Sequence, residues 1–337
     1  MTKPSLAFRN VLKALRNTFQ RALAHIAPWD GKLDEIDAKL ARLEVLLEHT
    51  QALAALHLTD RAYVEEMFLR AHGYAPNLET PRTFNEKLAW TKLHRRQPIY
   101  AELTDKSRAK HYVREHLGPA FVIETLAECE SVHELDFTSL PSSFILKPTH
   151  GSGWTIVVRD KAAANLPAIK RTLHGWMSTN YFRFQREPQY RPLIPALIAE
   201  RLLLDAHGEL PSDFKFHCFH GRVGFVQMDT DRHTKHRRNF YDRDWEPQPF
   251  DFSPANAEGD PLYAKGPPAK RPAAYDALLQ TAEKLAAPFD YVRVDLYCVD
   301  DAIFFGELTF NHGAASELFF PRKWDRVWGD LWQLDSR

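Results

Sequence analysis

The sequence predicts an α+β fold preceded by an N-terminal helical extension. Three observations carry this. Two stretches near the N-terminus repeat apolar residues at three- and four-residue steps. From about residue 60 onward, capped helices mix with short alternating strands. Pairs of those strands are joined by tight turns, which gives antiparallel hairpins. The predicted division is 1–57 for the extension and 58–337 for the globular region. A chain of 337 residues can bury a sizeable core without a disulfide or metal staple.

The first helix carries Phe8, Val11, Leu12, Leu15, Phe19, Leu23 and Ile26 on one stripe. Lys3, Arg9, Lys13, Arg16 and Arg21 lie between them, and no acidic residue occurs before Asp30. Such a helix suits an anionic membrane surface through residues 1–27, or a docking face on protein. Pro28 and Gly31 end it. Leu33, Ile36, Leu40, Leu43, Leu47, Thr50 and Ala54 then form a heptad seam of about three repeats. Residues 33–54 read as a short coiled coil joining copies of the chain, or as a helix packed on the globular region.

In the globular region, Thr83 and Glu86 form a capping box that starts a helix running towards His94. Asp105 opens another through Val113. Phe144 to Lys147 is a strand ending at Pro148 and a glycine loop. Asp213 to Phe219 is a strand, and Gly221 turns it into Val223 to Val226. Tyr291 to Val299 and Ile303 to Phe310 are strands joined at Asp300-Asp301. Helices are expected over Ala274 to Ala286 and Trp324 to Leu334.

Composition excludes several function classes. Lys and Arg total 44, as do Asp and Glu, and zero net charge argues against a dedicated nucleic-acid binder. Cys129, Cys218 and Cys298 form no CxxC pair and fit a reducing cytosol. No run of about 18 apolar residues is present, and the basic start lacks the pattern of a secretory signal. A cytoplasmic protein is expected, peripheral at the inner membrane face.

Four segments carry candidate chemistry. Lys147 ends a strand before His150, Gly151, Ser152 and Gly153, which suits phosphate: a point charge beside backbone N–H groups freed by glycine. The spacings of a P-loop and of a dinucleotide fingerprint are absent. Arg293 and Asp295 share one strand face, and Glu307 and Thr309 share another. If the hairpin makes those faces coincide, two carboxylates and a neutral oxygen suit Mg²⁺, with Arg293 beside a transferring phosphoryl group. Asp213 and Lys215 alternate with Phe214 and Phe216, so Lys215 is a second phosphate contact. His217, Cys218 and His220 hint at zinc, but alternation puts His217 and Cys218 on opposite faces. The run Arg232, Lys235, Arg237, Arg238 reads as a basic loop that grips an acidic substrate, or as a solvated face.

In order and spacing these segments resemble the ATP-grasp superfamily, and most closely its TupA-like (teichuronopeptide biosynthesis) family. The resemblance covers about residues 60 to 335. It rests on Phe84-Asn-Glu-Lys-Leu88, Thr104-Asp-Lys106, Phe144-Ile-Leu-Lys147 with His150-Gly-Ser-Gly153, and Ile198-Ala-Glu200. It continues through Asp213-Phe-Lys215, Arg237-Arg-Asn-Phe-Tyr-Asp242, Arg293-Val-Asp295 and Phe305-Gly-Glu-Leu-Thr-Phe310. It implies two α+β subdomains enclosing ATP. Lys106 and Lys147 would contact phosphates, and Glu200 with the backbone after it would hold adenine and ribose. Asp295 and Glu307 would hold Mg²⁺, and Arg293 would stabilise the transferred group. Many ATP-grasp enzymes carry Asn two residues after the metal-binding Glu. Thr309 stands there in this chain, with Asn311 two further on, so either completes the shell.

The implied activity is a carboxylate–amine ligase of cell-surface polysaccharide synthesis. Its partners would be an acidic sugar or glycan precursor and an amine or amino acid. Alternatives are an ATP-dependent sugar kinase and a metal-dependent glycosyltransferase, for which only Asp229-Thr-Asp231 has the DxD spacing. A membrane scaffold acting through residues 1–55 would leave the paired carboxylates without a purpose.

Overall fold

The structure, a computed structural model, describes residues 58–230, 236–256 and 258–334. The amphipathic helix, the heptad seam, Arg232 and Lys235 lie outside the described residues. The chain divides into two compact units, 1–59 with 257–259, and 60–256 with 260–337. Nearly all of the first lies outside the described residues, and every element named here belongs to the second.

Among the described residues four helices come first: α1 (Asp60–His72), α2 (Phe84–His94), α3 (Pro98–Thr104) and α4 (Lys106–Leu117). The capping box of α2 forms as the sequence predicts, with the Thr83 hydroxyl accepting from Glu86 N and Glu86 reaching back to Thr83 N. Asp105 caps α4 by accepting from the amides of Ser107 and Arg108, and Gly118 ends it at a φ of 103°. α4 runs one turn beyond Val113.

Strands β1 (Thr125–Cys129), β2 (Phe144–Pro148), β3 (Ile156–Val158) and β4 (Leu197–Arg201) make an antiparallel sheet in the order β1-β4-β2-β3. Helices α5 (Leu166–Met177) and α6 (Phe182–Gln185) fall between β3 and β4. Phe144, Leu146, Leu197 and Ala199 alternate into a core closed by Leu173 of α5.

Next come β5 (Asp213–Phe219), β6 (Arg222–Thr230), β7 (Arg237–Asp242) and β8 (Asp251–Ser253), then α7 (Tyr275–Ala286), β9 (Tyr291–Val299) and β10 (Ala302–Thr309). The chain closes with β11 (Leu318–Phe320) and α8 (Lys323–Leu331). The order β10-β9-β5-β6-β7 makes a five-stranded antiparallel sheet, and β11 pairs with β8 in a two-stranded one. Both tight turns take the left-handed backbone that two-residue hairpins require: His220 and Gly221 at φ 50° and 76°, Asp300 and Asp301 at 49° and 62°.

The large sheet is two-faced. Phe214, Phe216, Val292, Val294 and Leu296 point to one side and pack against Leu278, Ala282, Leu285 and Ala286 of α7. Truncating one of these, such as Leu285, to Ala would cost roughly 2–5 kcal/mol. Polar residues fill the other face. Beside them a second apolar cluster joins α2 to α8 through Phe84, Leu88, Trp328 and Trp332. Gly329 allows that approach, since a Cβ there would lie 2.2 Å from the Arg82 carbonyl oxygen.

One expectation needs correction. Arg237 and Arg238 are not on a loop but begin β7, which pairs with β6 through Thr230↔Arg237 and Asp229↔Arg238. Phe240 and Tyr241 bury at the far end of that strand and hold it in the sheet. The acidic partners that neutralise Arg238, Asp229 on β6 and Glu317 near the C-terminus, lie outside the run itself, so the local sequence looks only basic.

Candidate functional site

The polar face of the large sheet depends on a β-bulge. From Val299↔Ala302 to Leu296↔Phe305 the hairpin pairs residue for residue. The register then shifts at Gly306, so that Glu307 faces Asp295 and Thr309 faces Arg293. Without the extra residue Glu307 would oppose Val294 and point into the apolar core. Glycine suits the position because a Cβ there would come within 3.1 Å of the Asp295 carbonyl oxygen and the Tyr297 ring. The strand β5 adds Lys215 opposite Asp295 and His217 opposite Arg293.

These side chains form a dense ion lattice. Arg293 donates from Nε and Nη2 to the two oxygens of Asp295, each at 2.6 Å, and from Nη2 to Glu307 Oε1 at 2.8 Å. Lys215 donates to Asp295 at 2.7 Å and to Asp213 at 2.5 Å. Asp295 is 2% exposed, whereas the Glu307 side chain is 37% exposed. Both bonds to Glu307, from Arg293 and from the Thr309 hydroxyl, land on Oε1. Burial pushes Asp295 up to about 6. Burial also acts to raise Glu307, but Arg293, Lys215 and Lys106 pull it down to about 2. For Lys215 burial is outweighed by Asp213 and Asp295, and the ammonium is held above the ordinary lysine value.

The smaller sheet brings up the cations. Lys147 on β2 bonds Glu200 Oε2 on β4 at 2.8 Å, and Lys110 on α4 bonds Glu200 Oε1 at 2.6 Å. Glu200 is thus neutralised from both sides, and Lys110 also bonds the Thr125 hydroxyl at 2.6 Å. Lys106, at the first turn of α4, donates to the Gly151 carbonyl, while its backbone N–H bonds Thr149 O at 3.2 Å. Helix α4 and the glycine loop are therefore one unit. Burial lowers the Lys106 ammonium below its ordinary range, and Glu307 on the large sheet exerts the strongest opposing pull, so Lys106 links the two sheets electrostatically.

The loop residues are placed for specific reasons. Gly151 lies under the Trp154 ring, where a Cβ would come within 2.3 Å, and Gly153 has a φ of 73°. His150 is buried with Nε2 3.1 Å from the Trp176 carbonyl oxygen. Ser152 lies near the Tyr190 hydroxyl.

Other predicted residues fall elsewhere. The Asn311 amide donates to Leu88 O and Thr91 Oγ1 and accepts from Gln189, which ties the segment after β10 to α2. His217 lies on the polar face, 3.0 Å from the Tyr291 hydroxyl, and Cys218 is on the apolar one. Arg237 is half-buried at the start of β7. Arg238 is buried, 2.8 Å from Glu317, 3.3 Å from Asp229 and over the Tyr263 ring.

Sequence reasoning misses several members of the site. Lys110 sits one turn after Lys106, and that i,i+4 spacing was its available signal. His312 and Glu317 lie beyond the last motif, next to a glycine that marks a turn. Glu187 and Lys92 are both buried, and each acts on the other's charge. Burial lifts this carboxyl to about 7 and lowers the lysine to about 8, and Glu187 also feels Glu307 and Arg293.

The donor set fits a hard divalent cation. Among the described residues no three or more His, Cys, Asp or Glu side chains gather as a metal-binding group. Two carboxylates from adjacent strands suit a cation whose remaining ligands come from phosphate and water, as Mg²⁺ prefers.

Several solved structures are similar at low identity. D-alanine–D-alanine ligase from Bacillus anthracis, in a complex with ATP, is 14% identical over 62% of this chain and 55% of its own, with a TM-score of 0.39. L-amino acid ligase from Bacillus licheniformis is 11% identical over 76% and 55%, at 0.41. The ATP-grasp ligase PsnB with minimal precursor, Mg and ADP is 13% identical over 73% and 64%, at 0.38. The chain thus spans a little over half the length of the first two. No curated protein matches it. The family described as TupA-like ATPgrasp matches residues 86–333, most of the chain. With two antiparallel sheets, a lysine-bearing glycine loop on one and a carboxylate hairpin on the other, the chain belongs to the TupA-like ATP-grasp family.

Proposed function

We propose that the protein is an ATP- and Mg²⁺-dependent carboxylate–amine ligase acting in cell-surface polysaccharide synthesis. The observation that carries this is the combination of a lysine-bearing glycine loop, tied to Lys106 of α4, with a carboxylate pair on a strand hairpin, Lys106 and Glu307 acting on each other's charge. Lys106, Lys147 and the amides of residues 150–153 bind the ATP phosphates. Glu200 holds Lys147 in place, and the backbone after it takes the adenine. Glu307 and Asp295 would hold Mg²⁺, with the Thr309 hydroxyl beside Glu307, whereas the Asn311 amide is engaged by α2 and Gln189. When bound, that ion would neutralise charge on the phosphate oxygens.

Arg293 and Lys215 stabilise charge as an acceptor carboxylate oxygen attacks the γ-phosphorus and ADP leaves. An amine then attacks the acyl carbon, and inorganic phosphate leaves with the electron pair of the broken C–O bond. The chain supplies position and charge, and no protein nucleophile is needed. Arg237, with Arg232 and Lys235, receives the acidic sugar or glycan precursor. Among the described residues no helix is long and apolar enough to cross a membrane. Residues 1–27 would tether a cytoplasmic enzyme to the inner membrane face, and residues 33–54 would join copies of it.

The test is incubation with ATP, Mg²⁺ and a panel of uronic and amino acids. A ligase yields ADP and inorganic phosphate only with the correct pair. ADP without free phosphate identifies a sugar kinase. ATP binding with no turnover on any acceptor refutes the ligase reading. Liposome flotation unchanged by deletion of residues 1–30 refutes the tether.

A further inference from the structure

Arg293 has five N–H donors in a planar fork. Nε and Nη2 spend three of them on Asp295 and Glu307. Nη1 lies 2.7 Å from His312 Nδ1. Among the described residues that leaves one Nη1 hydrogen for an incoming phosphoryl oxygen.

The His312 contact fixes its own direction. Arginine can only donate, so Nδ1 accepts, and the neutral ring carries its proton on Nε2. That nitrogen lies 3.0 Å from Glu317 Oε2, a carboxylate that accepts it. Glu317 is held in turn by Arg238 at 2.8 Å. The loop between them is shaped for this contact. Gly313, Ala314 and Ala315 have φ values of 54°, 50° and 63°, and a left-handed backbone is costly for the two alanines. A Cβ on Gly313 would meet Glu317 Cγ at 2.7 Å, so glycine lets Glu317 close on His312.

We propose that His312 is a positioning residue for the phosphoryl-transfer site. Oriented by Glu317, it fixes the plane of the Arg293 guanidinium so that the remaining Nη1 hydrogen faces the γ-phosphate of ATP. This rests on the nucleotide-site reading above and adds to it the element that aims the arginine. Asp295 and Glu307 hold one side of the guanidinium, and His312 supplies the third anchor that stops it from swinging.

The test uses the full-length protein and two substitutions. His312→Asn places an amide oxygen near the Nδ1 position and keeps the acceptor for Arg293. His312→Gln reaches the Nε2 position and loses that acceptor. Calorimetry with ATP and with ADP, each with Mg²⁺, gives the preference due to the γ-phosphate. The preference is expected to fall about tenfold in His312→Gln and to stay within about twofold of the native protein in His312→Asn. Equal preference in both variants, whether kept or lost, overturns the proposal, as does loss in the asparagine variant alone. A native protein that binds neither nucleotide overturns the parent reading and this one with it. Independently of the variants, nitrogen NMR of the native protein should show the His312 proton on Nε2. A proton on Nδ1 would overturn the assignment even if both variants fail to fold.

Discussion

Asp295 and Glu307 face each other in one carboxylate pair, yet their removal should have unequal consequences. Asp295 is 2% exposed and accepts three bonds from cations, two from Arg293 and one from Lys215. Asp295→Asn removes the charge and leaves those donors underpaired in the interior. Breaking a buried ion pair from one side costs about 3–5 kcal/mol. Lys215 keeps Asp213, and Arg293 keeps Glu307 and His312, so about 3 kcal/mol is expected. For a chain of 337 residues that lowers the melting temperature by roughly 4–5 °C. Glu307 is 37% exposed, and Glu307→Gln keeps an oxygen for Arg293 and Thr309. Its stability cost should stay below about 1 kcal/mol. Both variants should lose phosphoryl transfer by about a hundredfold or more. Thermal melts and phosphate release decide the matter. An Asp295→Asn protein that melts within about 2 °C of the native one would refute the burial argument. Phosphate release sustained by Glu307→Gln would remove Glu307 from the site.

Three further outcomes follow from the same geometry. Gly306→Ala should lower stability by about 1 kcal/mol and phosphate release by roughly tenfold, because the new methyl group pushes on the Asp295 backbone; native activity would show that the bulge is not tightly set. Lys110→Met should cost about 2–3 kcal/mol in urea unfolding, and combining it with Glu200→Gln should cost at least 1 kcal/mol less than the sum; strict additivity would mean that the two do not interact. Burial holds the His72 imidazole down to about 4, so the unfolded chain binds a proton below about pH 6.5 that the native state refuses. Stability should therefore fall by up to about 3 kcal/mol as the pH drops from 6.5 to 4, and His72→Gln should flatten that slope; an unchanged slope would remove His72 as its source.

Much of the fold is legible because it is written locally. The Thr83–Glu86 box and the Asp105 cap satisfy amide groups within three residues of themselves, so short-range pattern suffices. The Asp300-Asp301 turn and the alternation of Val292, Val294 and Leu296 with Arg293 and Asp295 are equally local. The strand β7 fails this test. Its first half reads as a basic loop because Glu317, which neutralises Arg238, is 79 residues away. Lys110 and Glu200 are 90 residues apart, and neither looks unusual alone.

The candidate site divides along the same line. The sequence by itself determines that Arg293 shares a face with Asp295, and Glu307 with Thr309, because side chains alternate along any strand. It also determines that a lysine precedes a glycine loop. Whether the two carboxylate faces coincide is a matter of register, and register is a property of the paired strands. A glycine within a strand marks a bulge without saying which partner residue it slips past. Only the tertiary structure, where Gly306 packs against the Asp295 backbone, turns Glu307 from the apolar core towards Asp295, Arg293 and Lys106.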